Sequence, residues 1–168
     1  MLILLGEDRP GIVAEVSQAL FAGGCNLGEA SMMRLGGNFV VMVMVRYDGD
    51  LPTLESIVQP VAKKLKLRVH VDPIHGQLHA HRAPDVRVTV FGADRTGIVA
   101  QVTAALAKAG LDILDLESDV GGTEDKPLYI MHIEGVAQLG MMPLEQAIQE
   151  VRKSGVDGSV MPIDTVLE

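Results

Sequence analysis

The chain has 168 residues and a formal net charge of −8, which argues against direct nucleic-acid binding through a basic face. Cys25 is the only cysteine, so the sequence offers neither a disulfide framework nor a cysteine-based metal site. No apolar run reaches transmembrane length, and Met1–Leu5 is too short for a signal-peptide core. We therefore expect a cytoplasmic protein without a membrane partner.

A glycine-rich stretch at Gly6–Ala14 returns 86 residues later, at Gly92–Ala100. Aligned without gaps, residues 5–27 and 91–113 are identical at eleven of twenty-three positions, where chance gives about one or two. The identical residues of the first copy are Gly6, Asp8, Arg9, Gly11, Ile12, Val13, Ala14, Val16, Ala19, Leu20 and Gly24. This duplication predicts two domains, 1–74 and 85–168, joined by a polar linker over 75–84.

The first half is predicted to hold six elements in the order strand, helix, strand, strand, helix, strand. They are residues 1–5, 11–23, 26–35, 39–47, 52–65 and 67–72. Gly36-Gly37-Asn38 is a hairpin signal between the two central strands, and Pro60 is expected to bend or break the second helix. The stretch Phe39–Val45 is apolar on both faces, so we expect the open side of the sheet to meet the other half, a second chain, or both.

The second half repeats this plan. Its predicted elements are residues 86–91, 97–110, 112–120, 128–133, 143–151 and 157–163, with a long hairpin loop at 121–127. The order predicts an α+β chain of two ferredoxin-like βαββαβ domains, each a four-stranded antiparallel sheet with two helices on one face. With 48% apolar residues and no Trp, both cores are expected to be aliphatic and filled by methionine.

In each copy a strand runs into the glycine-rich turn and a helix leaves it. The unpaired N–H groups of the helix start and its dipole would favour a carboxylate or another anion there. Gly11 and Gly97 would let a ligand approach the backbone closely. The alternative is that Asp8 and Asp94 only cap the helices and that the glycines only ease the turn.

Other chemistries have weaker support. His75, His79 and His81 could ligate zinc, but solvated linker histidines are the simpler interpretation, so no metal and no cofactor are expected. Cys25 follows a helix end, where no dipole would lower its pKa, and this disfavours a nucleophile. No nucleotide-binding or hydrolase motif appears, so we do not expect an enzyme.

Each half contains three short motifs around its turn and strands. In the first half they are Asp-Arg-Pro-Gly-Ile-Val, Gly-Cys-Asn-Leu and Leu-Gly-Gly-Asn-Phe; in the second they are Asp-Arg-Thr-Gly-Ile-Val, Gly-Leu-Asp-Ile and Pro-Leu-Tyr-Ile. Both sets of motifs resemble the ACT domain. Two such domains, covering about residues 1–74 and 85–166, resemble the glycine cleavage system transcriptional repressor family. The resemblance implies regulation by small molecules, typically amino acids, bound where two ACT domains pack together and the turn after the first strand meets the start of the second strand.

Carried over by position, the resemblance implies two ligand-binding sites. The first would use Asp8, Arg9, Pro10, Gly11, Ile12, Asn26 and Leu27, and the second Asp94, Arg95, Thr96, Gly97, Ile98, Asp112 and Ile113. Backbone amides near Gly11 could hold the carboxylate of an amino acid, while Asn26 or Asp112 accepts from its ammonium. Arg9 and Arg95 are expected to pair with nearby acids more often than to contact the ligand.

The resemblance implies a homodimeric regulator that senses glycine or serine and contacts a partner regulator protein, with no direct contact to nucleic acid. Two alternatives remain open: a regulatory subunit of an amino-acid-metabolising enzyme, and a structural or interaction module that binds no ligand. The same turn would serve the repressor and the enzyme regulator, so the sequence does not separate these two.

Overall fold

The computed structural model describes residues 1–74, 82–93, 96–123 and 126–163. The chain divides into two compact units, Met1–Leu78 and His79–Glu168. Each contains a four-stranded antiparallel sheet and two helices in the order βαββαβ, which confirms the predicted ferredoxin-like α+β fold in both halves. The linker 75–84 stays a prediction, because residues 75–81 lie outside the described residues.

Unit 1 forms a sheet with the strand order β2-β3-β1-β4. Its elements are β1 (Leu2–Glu7), α1 (Ile12–Ala22), β2 (Asn26–Leu35), β3 (Asn38–Arg46), α2 (Leu51–Leu65) and β4 (Arg68–Val71). Because strand side chains alternate between faces, Leu2 and Leu4 enter the core beneath the helices. The helix α2 continues without a break through Pro60, since the buried Val58 and Val61 on either side hold it in the core.

Unit 2 forms a sheet with the strand order β6-β7-β5-β8. Its elements are β5 (Val86–Ala93), α3 (Ile98–Lys108), β6 (Leu111–Thr123), β7 (Lys126–Ala137), α4 (Met141–Arg152) and β8 (Val156–Pro162). The long loop predicted at 121–127 is wrong, because Gly121 pairs with Leu128 and Gly122 with Pro127. The described pairing of β5 with β7 ends at Leu128, so Pro127 needs no partner on that side.

Both cores consist mainly of Leu, Ile and Val. Of the nine methionines only Met131 is fully buried, so the expectation of methionine-filled cores is wrong. The others include Met33 and Met42, which lie on β2 and β3 and remain about half exposed. The apolar side chains of β3 therefore alternate between a buried face and an accessible face of the sheet. Which molecule covers the accessible face stays a prediction.

Candidate functional site

The turn after the first strand has the same backbone conformation in both units. Gly11 precedes α1 with φ of +90°, and Gly97 precedes α3 with φ of +86°, both in the left-handed region that favours glycine. Neither helix start is capped by a side chain, and a Cβ added at either glycine would meet no described residue within 4 Å. Each helix thus begins with open space beside its glycine and with no side-chain acceptor on its first N–H groups, an arrangement that favours an anion.

Asp8 ties the first turn to the β2–β3 hairpin and does not cap α1. Its carboxylate lies 3.2 Å from the guanidinium Nε of Arg34, and its N–H donates to the carbonyl of Gly37 at 3.0 Å. The interpretation of Asp8 as a helix cap is therefore wrong. These contacts fix the turn against the sheet while leaving Gly11 uncovered.

The other residues predicted to form the turn differ in the solvent exposure of their side chains. Arg9 and Pro10 are exposed, and Arg9 forms no ion pair with a described residue, so the expected pairing with an acid is not found within the described ranges. Ile12 and Ile98 are buried in the two cores. Their side chains cannot line a ligand site, so any contribution from them would come from the backbone N–H.

In the second turn, Thr96 and Gly97 are exposed. Asp94 and Arg95 lie outside the described residues, as do His75, His79 and His81 of the zinc hypothesis. Among the residues that are described, no group of three or more His, Cys, Asp or Glu side chains could hold a metal ion.

The start of the second strand differs between the two units. Asn26 opens β2 with an exposed side chain that forms no hydrogen bond to a described residue, and the following Leu27 packs partly against the core. At the same place in unit 2, the carboxylate of Asp112 lies 2.8 Å from the guanidinium of Arg82, while Ile113 packs partly against its core. Asn26 is thus available to a ligand, whereas Asp112 already has a cation beside it.

Within one unit, the turn and the start of the second strand lie at opposite ends of the sheet. The first residue of β3, Asn38, pairs with the last residue of β1, Glu7, and with the last residue of β2, Leu35. Asn26, the first residue of β2, pairs instead with Arg46 at the other end of β3. Arg34 beside the turn is eight residues beyond Asn26, or about 25 Å along an extended strand. Unit 2 has the same arrangement, because Ala93 is level with Leu128 and Asp112 with Val136. The two halves of each predicted site therefore do not meet within one unit.

Sequence reasoning missed two residues at these places, Arg34 and Arg82. Arg34 comes just before Leu35 and the hairpin glycines. Pairing of β1 with β3 places this hairpin beside the end of β1, so the position of Arg34 in the sequence could have indicated that it lies near the turn. Arg82 carried no comparable signal. It precedes β5 by four residues and reaches Asp112 through a fold that brings the start of β5 beside the end of β7.

Cys25 is buried beside the end of α1, and this desolvation raises the pKa of its thiol. A buried thiol with a raised pKa is a poor nucleophile at neutral pH. No helix in the described part of the chain is long and apolar enough to cross a membrane.

The ACT domain family model matches residues 1–72 and 85–125, which together make up more than half of the chain. The chain therefore belongs to the ACT domain family, with one match in each of its two βαββαβ units. It is similar to the glycine cleavage system transcriptional repressor of Escherichia coli (strain K12), with 24% identity over 135 residues that cover 80% of this chain and 71% of the relative. The protein of the same name from Shigella flexneri matches equally well.

Two solved structures resemble nearly the whole chain. An unknown protein from Galdieria sulphuraria matches with a TM-score of 0.77 and 25% identity, covering 96% of each chain. A candidate glycine cleavage system transcriptional repressor matches with a TM-score of 0.69 and 19% identity, covering 96% of this chain and 95% of the other. The second likeness supports the fold alone.

Proposed function

We propose that this chain is a non-catalytic regulatory protein that senses an amino acid and passes the signal by contact with another protein. One observation carries the proposal: both ACT domains place a left-handed glycine at the uncapped, open start of their first helix. Such a place favours a carboxylate, which every amino acid carries.

Asn26 supplies the complementary half of the first site. Its side-chain carbonyl oxygen would accept a hydrogen bond from the ligand ammonium, while the amides beyond Gly11 hold the carboxylate. The glycine cleavage system repressors similar to this chain suggest glycine as the first ligand to test, with serine second. Asp8, Arg9, Pro10 and Leu27 would surround these contacts.

Because the turn and Asn26 lie at opposite ends of one sheet, the proposed site needs two copies of the domain. A two-fold axis across the strands would bring the turn of one protomer to Asn26 of its partner, and would do so twice. A homodimer that pairs unit 1 with unit 1 would complete two equivalent sites from residues that one domain keeps apart.

The signal would pass to a regulator protein or to an enzyme of amino-acid metabolism. The net charge of −8 supports a protein partner over nucleic acid. The accessible, partly apolar face of the unit 1 sheet, which includes Leu5 and Met42, offers a surface for such a contact.

A thermal-shift screen of the purified chain against the twenty amino acids tests the proposal. A ligand at a hundred times its dissociation constant stabilises the folded state by about 2.7 kcal/mol, which is readily detected. We expect glycine or serine to raise the melting temperature. If none of the twenty amino acids raised the melting temperature, amino-acid sensing would be contradicted and the ligand-free interaction module favoured. Co-purification of a partner would then be the next experiment.

A further inference from the structure

The two domains differ in whether the predicted acceptor for the ligand ammonium is free. By charge alone, the carboxylate of Asp112 should hold an ammonium more strongly than the amide of Asn26. The structure reverses this expectation, because Arg82 lies 2.8 Å from Asp112 while Asn26 forms no hydrogen bond to a described residue. The domain with the stronger acceptor is the one whose acceptor is already paired.

The segment that carries Arg82 is fixed next to Asp112 by several hydrogen bonds. The N–H of Asp85 donates to the carbonyl of Gly135 at 3.0 Å, and its carboxylate accepts from the N–H of Ala137 at 2.8 Å. Gly135 and Ala137 flank Val136, which is the residue that Asp112 faces across the strand pair. The N–H of Ile163 completes the anchor by donating to the carbonyl of Asp85 at 2.8 Å. Arg82 is thus held three residues from an ordered attachment point.

A tethered cation competes with free ligand at an effective concentration on the order of millimolar. The Arg82 guanidinium lies at the carboxylate that the resemblance assigns to the ligand ammonium.

We propose that Arg82 closes the second amino-acid site by standing in for the ligand ammonium at Asp112, so that the chain binds one amino acid per protomer, at the first site. This inference rests on the proposed function, since it concerns the occupancy of the same pair of sites. It assigns Arg82 as the residue that sets the binding stoichiometry.

Isothermal titration calorimetry with glycine and with L-serine tests the inference. We expect wild-type protein to bind one amino acid per chain and Arg82→Ala to bind two. Asp112→Asn, which gives the second site the residue type of the first, should also bind two, because it removes the charge that holds Arg82. Adding Gly97→Ala to Arg82→Ala should return the stoichiometry to one, which assigns the new event to the second turn.

Two variants serve as controls. Arg82→Lys keeps a cation on the same segment and should still bind one ligand per chain. Arg87→Ala removes a different ion pair of unit 2, between Arg87 and Glu134 at 2.5 Å, and should also leave one. If wild-type protein binds two ligands, or if Arg82→Ala and Asp112→Asn still bind one, the inference fails and the proposed function stands. Absence of binding in every variant would overturn both.

Discussion

Gly11 is the residue whose substitution tests the first site most directly. Its φ of +90° makes any side chain strained, at a cost of about 1–2 kcal/mol of folding stability. A Cβ there would otherwise occupy the open space in which the ligand carboxylate is proposed to bind. We therefore expect Gly11→Ala to lower the melting temperature modestly and to remove binding of the amino acid found in the thermal-shift screen.

Gly155→Ala is the matched control for Gly11→Ala. Gly155 has φ of +82°, and a Cβ there also meets nothing within 4 Å, but the residue belongs to unit 2. It should reproduce the loss of stability without a loss of binding. Equal loss of binding in both variants would show that backbone strain, and not access to the first turn, explains the effect.

Asn26 is the second residue that the proposed ligand requires. We expect Asn26→Ala to weaken binding by about 1–3 kcal/mol, because the ligand ammonium would lose its acceptor in a site that the proposed dimer covers. Asn26→Asp keeps an acceptor and should keep binding. The measurement is calorimetric titration of the two variants, and an unchanged affinity in Asn26→Ala would remove Asn26 from the site.

The sequence could identify Gly11 because the duplication places the same motif at Gly97, and the left-handed backbone found in both turns favours glycine. The partners of Asp8 and Asp112 could not be identified in the same way. Both contacts join residues that are far apart in the chain, Asp8 with Arg34 and Asp112 with Arg82, and they depend on strand register. Charge patterning along the sequence does not reveal such pairs.

At the scale of elements, α2 is the one of the four described helices whose start is capped by a side chain. The carboxylate of Asp50 accepts from the N–H of Thr53 at 2.9 Å, and this hydrogen bond lowers the pKa of Asp50. A carboxyl whose pKa is lower in the folded state stabilises the fold above its unfolded pKa. That stability is lost as the pH falls from about 3.8 through the folded pKa.

Thermal melts between pH 2 and 6 would measure this contribution of Asp50. Asp50→Asn should keep the cap, and its stability should fall less at low pH because it has no carboxylate to protonate. Asp50→Ala should be less stable at neutral pH as well. Asp48→Asn removes the same charge from outside the helix cap and serves as the control. If Asp50→Asn follows the wild-type pH profile, the hydrogen bond to Thr53 is not what couples stability to pH.

Prediction of the elements succeeded where the apolar period was strong and failed where Gly and Pro signals were taken at face value. Gly121-Gly122 and Pro127 favoured a loop, but the hairpin pairing of β6 with β7 runs through them. Pro60 favoured a bend or a break in α2, and the break is not found, because the buried residues around it keep the helix whole. In both places tertiary packing outweighed local propensity.

For the whole molecule, the order of elements was enough to predict the ferredoxin-like topology, and that topology decides how a site can be assembled. In the sheet order β2-β3-β1-β4, β1 and β2 run parallel on either side of β3. The end of β1 and the start of β2 must therefore lie at opposite ends of the sheet. Proximity of Gly11 and Asn26 is excluded within one unit by strand direction, a relation that motif positions alone do not show.

Mixing Gly11→Ala with Asn26→Ala, one variant that should not bind and one that should bind weakly, tests whether protomers complete each other's first site. A dimer that contains one Gly11→Ala chain and one Asn26→Ala chain has one site with both defects and one site with neither. Random exchange makes half of the dimers mixed, each with one intact site of two, so about a quarter of the wild-type binding capacity should return. The variants are denatured together, refolded and titrated with the amino acid found in the thermal-shift screen. Samples refolded separately and then combined without exchange should show no sites of wild-type affinity. If co-refolded protein also lacks such sites although mixed dimers are present, the turn and Asn26 do not form a site across the two-fold axis.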